Sequence, residues 1–291
     1  MAGKLREVRR RIRSVKSTQK ITRAMELIAA SRIVKATVRT QAAKPYADEI
    51  SKIVAELVRR GGGGAELLAP REGGRVGVIA VTADRGLAGA YNTNVLKLVE
   101  AERRRAGDDF SVYTYGRKAL SFYKFRQVKP VAEWQGFSDT PPYTVAKEIG
   151  QQVTDDYVAG RVDKILIAYT GFESMMTQRP VIEQLLPVLP PESVDVDSEP
   201  TLQADVEFEP DAESILESLL PRYVESKVFS ALLNAAASEH AARRRAMKAA
   251  TDNADELIKI LTRDANRARQ AEITTEISEI VGGAEALAAE G

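Results

Sequence analysis

The last third of the sequence contains a stretch that a globular fold cannot absorb. From residue 211 to about residue 287 one proline occurs, early on at Pro221, and no glycine precedes Gly282. Pro210, Asp211 and Glu213 stand at its start, and prolines and acidic residues are favoured at a helix N-terminus. A continuous helix of this length measures roughly 110 Å, far more than a domain of this size covers. The sequence therefore predicts a long helix that needs a partner.

Apolar residues recur along this stretch at alternating steps of four and three. They form two groups: Ala250, Ala254, Leu257 and Leu261, then Ile273, Ile277, Ile280, Ala284 and Leu287. This spacing is typical of the buried seam of a coiled coil. Residues 234–250 are rich in alanine and include three consecutive arginines, 243–245. We therefore expect the middle of the helix to be thin and charged.

A second long helix is predicted at the other end of the chain, from Gly3 to about Arg60. Its apolar residues again step by three and four, through Leu5, Val8, Ile12 and Val15, and after a gap through Ile21, Met25 and Ile28. The polar run 16–20 interrupts this seam, which we expect to weaken the packing locally. Pro45 is expected to kink the helix, and the glycines 61–64 to end it. The two terminal helices together predict an antiparallel two-helix coiled coil.

The middle of the chain has a different pattern. Short apolar segments alternate with helical ones; the predicted strands are 76–81, 110–115 and 164–169, and the predicted helices are 92–106, 117–125 and 143–159. This alternation predicts a small, mainly parallel sheet covered by helices on both faces. Residues 176–188 are interpreted as an added strand or hairpin at one edge, and the proline-rich, acidic segment 190–210 as a loop.

The predicted fold class is therefore α/β, with an antiparallel coiled coil formed by the terminal helices and an inserted small α/β domain. The predicted domains are an N-terminal coiled-coil helix over 1–60, a Rossmann-like α/β domain over 75–209 and a C-terminal coiled-coil helix over 210–287.

Composition excludes several classes of function. The sequence has no cysteine and a single histidine, His240, so disulfides, thiol nucleophiles and most metal sites are excluded. We expect His240 to be solvated in the middle of the long helix. No apolar run is long enough to span a membrane, and the charged N-terminus does not resemble a secretory signal. These features predict a cytosolic protein or one attached peripherally to a larger assembly.

The turn 82–92 is the best candidate for a ligand-binding loop. It follows a predicted strand and precedes a helix, an arrangement that binds phosphate in many proteins. Only Gly86 and Gly89 are present, and neither the GxGxxG nor the GxxxxGK[ST] pattern occurs. The preferred interpretation is a tight turn in which Asp84 caps backbone N–H groups and Arg85 pairs locally. Asp155 and Asp156 are adjacent on a helix and should point in different directions. We therefore predict no catalytic, cofactor-binding or metal-binding residue.

The first 39 residues are strongly basic. They contain twelve lysines and arginines against two acids, an excess of ten positive charges in a chain whose formal net charge is +1. This favours an acidic partner. One alternative function is therefore a nucleic-acid-binding coiled coil, although the stretch has no aromatic residue for base stacking. A second alternative is a nucleotide-dependent enzyme built on the α/β domain.

Four segments of the chain resemble the γ subunit of bacterial F-type ATP synthases. In chain order they are MAGKLREVRRRIRSVKSTQKITRAMELIAASRI, TADRGLAGAYN, RYVESKVFSALLNAAASEHAARRRAMKAATDNA and ARQAEITTEISEIVGGA. The last contains most of the family signature, namely Ile273, Thr274, Glu276, Glu279, Gly283 and Ala284, which Ala286 completes just beyond it. Ala88 and Ala90 depart from the cysteine and glycine of many relatives, which relaxes any need for a positive φ at position 90. The resemblance covers the whole chain.

The resemblance implies a non-catalytic rotor in the central stalk of a proton-translocating ATP synthase. In this family the coiled coil enters a ring of three α and three β subunits, and the α/β domain sits as a foot on the membrane c ring beside the ε subunit. Proton flow turns the c ring, and ATP is made or hydrolysed on β. The implied chain is present once per complex, peripheral on the cytoplasmic side of the cell membrane, without cofactor and without nucleic acid.

The resemblance also implies which residues meet the partners. The expected contacts with the α/β ring are Arg23, Met25, Glu26, Arg269, Gln270, Thr274 and Glu276, and the expected foot contacts with the c ring or ε are Phe208 and Glu209. We expect Met25 to lie opposite Arg269 in the coiled coil. This register places Arg60 opposite about Asn234 and leaves residues 211–233 to pack on the α/β domain.

Overall fold

The two proline-poor ends of the chain form helices, as their patterns predict. The computed structural model describes residues 2–59, 65–189 and 211–289. The first helix, α1, spans Ala2–Arg59 and the last, α5, spans Ala212–Ala289. Asp211 caps the start of α5, because its carboxylate accepts the backbone N–H of Ser214 at 2.9 Å. Pro210, Arg60, the glycines 61–64 and the predicted loop 190–210 lie outside the described residues.

The elements between the long helices alternate between strand and helix. They are β1 (Val76–Val81), α2 (Tyr91–Ala106), a short 3-10 turn (Gly107–Asp109), β2 (Phe110–Tyr115), α3 (Arg117–Phe125), β3 (Ala132–Trp134), α4 (Tyr143–Val158), β4 (Lys164–Phe172) and β5 (Gln178–Leu186). The strand order is β3-β2-β1-β4-β5, and only β5 runs antiparallel to its neighbour. The predicted parallel sheet with an added edge strand is confirmed.

One strand was not predicted. The strand β3, which ends at Trp134, lies at the edge of the sheet beside β2. A three-residue strand is too short to show the two-residue alternation by which strands are recognised.

Both faces of the sheet are covered by helices. Successive residues of the central strands alternate between two apolar clusters, with Ile79 and Ile167 in one and Val78 and Leu166 in the other. The first cluster includes residues of α4, α1 and α5, and the second includes residues of α2 and α3. A parallel sheet needs this double cover because both of its faces are apolar.

The chain divides into two compact units. The larger, Ala29–Arg243, contains the sheet, its helices and the adjoining parts of α1 and α5. The smaller combines Met1–Ile28 with Arg244–Gly291. We call them the sheet unit and the helix-pair unit.

The first turns of α5 belong to the core of the sheet unit. Leu216, Leu220 and Val224 are buried in one cluster with Val54 of α1 and Ile79 of β1. Full burial of one such side chain contributes about 1.5–3 kcal/mol. The prediction that residues 211–233 pack on the α/β domain is therefore confirmed. Among the described residues no helix is long and apolar enough to cross a membrane.

Candidate functional site

A polar layer sets the register of the helix-pair unit. The Oγ1 atoms of Thr22 and Thr251 lie 2.7 Å apart and both residues are buried. The side-chain amide of Gln19 donates a hydrogen bond to the carboxylate of Asp255. The residue numbers of the first pair add up to 273 and those of the second to 274. A nearly constant sum is the mark of an antiparallel pair, so the predicted direction is confirmed within this unit.

The predicted register is wrong. Met25 and Arg269 have residue numbers that add up to 294, whereas the observed pairs add up to 273 and 274. The error is 20 or 21 residues, which is about three heptads. A slip by whole heptads brings apolar seam positions back into line with one another, so the apolar pattern alone does not distinguish these registers.

The seam of α1 also runs differently from the prediction. It continues without interruption through Gln19 and Thr22, which occupy the next positions of the three-four spacing after Val15. Ile21, where the seam was expected to resume, is 58% exposed, and Ile28 is also exposed. Polar residues at seam positions of a coiled coil reduce its stability and specify its register. The polar run is therefore part of the interface rather than a gap in it.

Among the described residues of the helix-pair unit, no helix lies beside the end of α5. At a constant sum of 273, the first residue of α1, Ala2, is level with Ala271. Ile273, Ile277 and Ile280 follow one another at steps of four and three on one face, and the last two are 56% and 72% exposed. The predicted second half of the seam is therefore not buried against α1. An exposed apolar stripe of this kind marks a surface that binds another molecule.

The residues expected to contact the ring fall into two groups that are not level with each other. Arg23, Arg269, Gln270, Thr274 and Glu276 are exposed, whereas Met25 and Glu26 are partly buried. Arg269 stands close to the level of the first turn of α1, and the later members of its group lie on the unpaired part of α5. Phe208 and Glu209, the expected foot contacts, lie outside the described residues.

Asp84 organises the turn that follows β1 in the sheet unit. Its carboxylate accepts the backbone N–H groups of Arg117, Gly136 and Ser138 at 2.9–3.1 Å. Partial burial raises the pKa of Asp84, but these donors outweigh it and hold the pKa below its ordinary value. The predicted capping role of Asp84 is confirmed. Ala90, which replaces the glycine of many relatives, has a φ of −85°.

Asp139, in the segment between β3 and α4, joins three parts of the sheet unit. Its carboxylate lies 2.6 Å from the guanidinium of Arg32 on α1 and 3.6 Å from that of Arg85 in the Asp84 turn. Its backbone oxygen lies 3.3 Å from Nε2 of His240 on α5. Arg85 thus pairs with a residue that is near in space and distant in sequence. Sequence reasoning missed Asp139, because an acidic loop residue carries no pattern of its own.

Residues 235–241 of α5 lie mostly in the interior, and the expectation that His240 is solvated is wrong. His240 is 1% exposed, and Glu239 and Arg243 are buried as well. The Glu239 carboxylate accepts a hydrogen bond from Arg243 at 2.6 Å, and a second contact joins Arg243 to the backbone oxygen of Gly86. Burial raises the pKa of Glu239 and lowers the pKa of His240. Both shifts follow from the cost of placing a charge away from water.

The alanines around this polar group explain its burial. Ala235, Ala236, Ala237 and Ala241 are all buried. Because a methyl group occupies little space, neighbouring elements approach the helix closely on several sides. The sequence shows this alanine-rich run. Had the run been interpreted as a closely packed part of the helix, the buried cluster would have been predicted.

The two adjacent aspartates of α4 have different surroundings. Asp155 is exposed while Asp156 is buried, so the two point in different directions as predicted. Asp156 accepts hydrogen bonds from the Tyr113 hydroxyl and from Arg161, which ties α4 to the sheet. Across residues 2–59, 65–189 and 211–289 no group of His, Cys, Asp and Glu is placed to hold a metal ion.

Comparison with known proteins agrees with this geometry. The model of the family described as ATP synthase matches residues 4–287. The ATP synthase gamma chain of Kineococcus radiotolerans is 51% identical over 301 residues, covering 100% of this chain and 99% of the relative. That of Acidothermus cellulolyticus is 51% identical over 304 residues, with 100% and 99% covered. The chain belongs to the ATP synthase gamma family. It is a subunit of an ATP-synthesising, ATP-hydrolysing complex.

Solved structures share the fold of this gamma-family chain at low sequence identity. A chain of the Euglena gracilis mitochondrial ATP synthase, from a structure of OSCP, F1 and c-ring, has a TM-score of 0.69 at 18% identity and covers 99% of this chain and 95% of its own. A chain of the Tetrahymena thermophila central stalk and c-ring has a TM-score of 0.60 at 22% identity, covering 79% and 99%. The predicted combination of terminal helices and inserted sheet is thus a known architecture.

Proposed function

We propose that this gamma-family chain is the rotor of the central stalk, which carries rotation between a membrane c ring and the catalytic β subunits. Its two helical ends, predicted as 1–60 and 210–287, act as the shaft, and the domain predicted as 75–209 acts as the foot. The partners are the α and β subunits, ε and the c ring, with one copy of the chain per complex on the cytoplasmic side of the cell membrane.

The unpaired end of α5 is the observation that carries this proposal. A single helix with exposed isoleucines at 273, 277 and 280 is not stable in water by itself, because helices of this kind depend on packing of their apolar face. A ring of subunits that encloses the helix supplies that packing. Because its occupant must turn, the ring is expected to touch it through small and aliphatic side chains rather than deep aromatic anchors.

The charged residues near the polar layer support a second contact with the ring. Arg23 is exposed, and the basic N-terminal part of α1 presents many further cations. Screened attraction between exposed charges varies smoothly with distance, so a partner surface that moves past them meets no single deep minimum. Coupling between rotation and catalysis then depends on how charged and large side chains are distributed around the shaft. ATP chemistry itself takes place on β.

Co-expression of the chain with α and β subunits tests the proposal. We expect a complex with one copy of this chain per three β subunits and an ATPase activity that requires the chain. Ile277→Asp should weaken assembly, because a carboxylate would be buried in the apolar sleeve. Ser278→Asp, at the neighbouring exposed position, is the matched control and should assemble normally.

Two results would contradict the rotor. A chain that elutes alone with bound nucleic acid, and loses it steeply with salt, would favour the nucleic-acid-binding alternative. Saturable nucleotide hydrolysis by the isolated chain would favour an enzyme built on the sheet unit.

A further inference from the structure

The ends of α2 and α3 form a surface that the rotor function leaves unused. Phe125, the last residue of α3, is 90% exposed, which no other aromatic side chain in the described part of the chain approaches. Phe122 lies one turn earlier on the same face of the helix and is only partly buried. A single exposed ring is common on protein surfaces, so the meaning of Phe125 depends on what surrounds it.

A basic depression adjoins these two rings. It has a volume of about 510 Å³, and its lining includes Leu96, Lys97 and Arg104 of α2, Phe122 of α3 and Arg126, which directly follows α3. The guanidinium carbon of Arg126 lies 3.9 Å from the centre of the Phe122 ring. Aromatic rings and cations therefore share one patch, which we call the α2–α3 patch.

The α2–α3 patch carries uncompensated positive charge. Among the lining residues of the depression the one acid is Glu100, and its carboxylate lies 3.3 Å from Arg103 and 3.5 Å from Arg126. Lys97 and Arg104 are exposed, and neither forms an ion pair with any residue that the structure describes. These two cations are therefore available to an anion outside the chain.

The sequence around the α2–α3 patch has the same bias. Residues 97–133 contain nine lysines and arginines against five acids, an excess of four positive charges. The chain has a formal net charge of only +1, and its first 39 residues have an excess of ten positive charges, so everything outside these two stretches is strongly acidic. Because screened attraction acts over about 10 Å at about 0.1 M salt, the local excess decides what approaches the patch.

The α2–α3 patch lies at one edge of the sheet. A short turn joins the end of α2 to the start of β2, and the segment after α3 leads into the start of β3. Just before β3, the backbone N–H of Val131 donates a hydrogen bond to the backbone oxygen of Val112 in β2. The ends of both helices therefore lie together at the edge where the parallel strands begin.

We propose that the α2–α3 patch contacts the surface of a membrane that contains anionic lipids. Phe125 enters the zone between headgroups and acyl chains, where aromatic side chains are favoured, and Lys97 and Arg104 pair with lipid phosphates. The proposal rests on the proposed function for its setting, since a foot on a membrane c ring brings the patch within reach of the surrounding lipid.

Other anionic partners fit the patch less well. A small soluble anion would engage only the cations and would leave the Phe125 ring in water. Single-stranded nucleic acid stacks its bases on successive aromatic rings, but Arg126 already covers the Phe122 ring. A lipid surface uses the exposed ring and the cations at once.

A tryptophan reporter tests the contact at the patch itself, because the basic start of α1 attracts anionic vesicles by charge alone. In the full-length chain, Trp134→Phe removes the sole tryptophan and Phe125→Trp adds one on the patch. The probe is a vesicle of equal parts phosphatidylglycerol and phosphatidylcholine with brominated acyl chains. We expect a blue shift and quenching of the emission, and neither with phosphatidylcholine alone. The matched reporter, Trp134→Phe with Tyr46→Trp, replaces an aromatic residue of α1 that is 53% exposed and should stay unquenched.

Charge variants of the Phe125→Trp reporter separate the patch from general attraction. Lys97→Ala with Arg104→Ala should raise the vesicle concentration for half-maximal quenching by roughly five- to thirtyfold, as expected for two cations close to an anionic surface. The control, Lys147→Ala with Arg222→Ala, removes the same charge from exposed residues of α4 and α5, which cover the other face of the sheet. It should leave that concentration unchanged.

Four results would overturn the proposal. The first is a Phe125→Trp reporter that anionic vesicles do not quench, and the second is equal quenching of the Tyr46→Trp reporter. The third is equal weakening by the two charge variants. The fourth is a single-stranded oligonucleotide that shifts the Phe125→Trp emission while vesicles leave it unchanged, which would assign the patch to nucleic acid. Assembly with α and β subunits does not use the patch, so a failed vesicle test is distinguishable from a failed rotor.

Discussion

The sheet unit and the helix-pair unit have interiors of different kinds. The largest of the fully buried side chains, with Tyr113, Tyr157 and Leu216 among them, all lie in the sheet unit. In the helix-pair unit Met247 and Leu261 are buried beside smaller or polar residues such as Thr22, Thr251 and Ala254. The first interior contributes stability through apolar volume, and the second contributes mainly the choice of register.

This difference shows what each unit has to do. A core of interlocking large side chains specifies one structure, because the removal of even a small side-chain volume lowers its stability. A seam with few fully buried side chains and a polar layer gives a pair of helices whose relative position is fixed by a small number of contacts. The predictions below test whether apolar volume and polar matching are separate in this way.

Cysteine cross-linking should give the largest contrast, because the outcome is all or none. The chain has no cysteine of its own. Thr22→Cys with Thr251→Cys should form a disulfide on mild oxidation, whereas Met25→Cys with Arg269→Cys should not. The latter positions are separated along the pair by about 21 residues, roughly 30 Å, far beyond disulfide reach. Non-reducing gel mobility measures both, and a cross-link in the second pair alone would contradict the register.

Removal of apolar volume from the sheet unit should have the largest effect on stability. Leu216→Ala should lower the free energy of unfolding by about 2–5 kcal/mol, because it leaves a cavity under α5. Leu189→Ala is the matched control, since Leu189 belongs to the same unit and is 62% exposed, and should change it by less than about 0.5 kcal/mol. Urea unfolding followed by fluorescence of Trp134, the sole tryptophan, measures the sheet unit. Equal losses would refute the contrast.

Asp84→Asn should lower the stability of the sheet unit by about 1–3 kcal/mol, because an amide NH2 replaces one of the two carboxylate oxygens that accept the N–H groups of Arg117, Gly136 and Ser138, and the bonds that remain are no longer to a charged group. Asp155→Asn, on an exposed residue, is the control. Folding lowers the pKa of Asp84. The carboxylate therefore adds to the free energy of unfolding at any pH above its ordinary pKa of 3.8, and this addition is lost as the pH falls through the pKa that Asp84 has in the folded protein. The difference between wild type and variant should therefore shrink in acid, and a difference that is independent of pH would argue against the capping role.

Thr22→Val should cost up to about 1 kcal/mol, because it removes the hydrogen bond across the seam while the Thr251 hydroxyl keeps its bond to the backbone oxygen of Met247. The double variant with Thr251→Val should recover much of this loss, since two apolar groups then meet. Thermal unfolding of the four proteins, followed by circular dichroism, gives the coupling energy. If the two single effects simply add, the threonines do not act as a pair.

Met25→Lys should have the smallest effect on stability, about 0.5–1 kcal/mol, because Met25 is only partly buried. We expect a larger effect on coupling, since an added charge beside Arg23 changes a surface proposed to move against β. The measurement is ATP-driven proton pumping relative to ATP hydrolysis in the membrane-bound complex, with Met25→Leu as the control. Equal loss of both activities would contradict the expectation.

Local patterns were sufficient to predict most of the fold. Strands such as 110–115 and helices such as 117–125 match the structure residue for residue, because hydrophobic periodicity is a local property. The capping role of Asp84 was likewise predictable from a turn between a strand and a helix. Contacts between distant segments were not, and the register of the long helices is the clearest case. The polar residues at 19, 22, 251 and 255 carried that information, but it is visible only when both helices are considered together.

The buried cluster around His240 escaped prediction for a related reason. Its burial is caused by a loop residue, Asp139, and by a turn at Gly86, which are distant in sequence from α5. A charged run within a helix is solvated unless other elements approach it, and no pattern within the run itself indicates that they do.

The unbroken heptad seam has a consequence for the length of the shaft. Insertion of seven residues into α1 and seven into α5, between the polar layer and the sheet unit, would keep every seam position facing its partner. Each such step would lengthen the pair by about 10 Å without altering its phase. An insertion that is not a whole number of heptads, or one in a single helix, would rotate the seam or separate Thr22 from Thr251. The polar layer thus fixes the register, while the length of the helix pair can change in steps of seven residues in each helix.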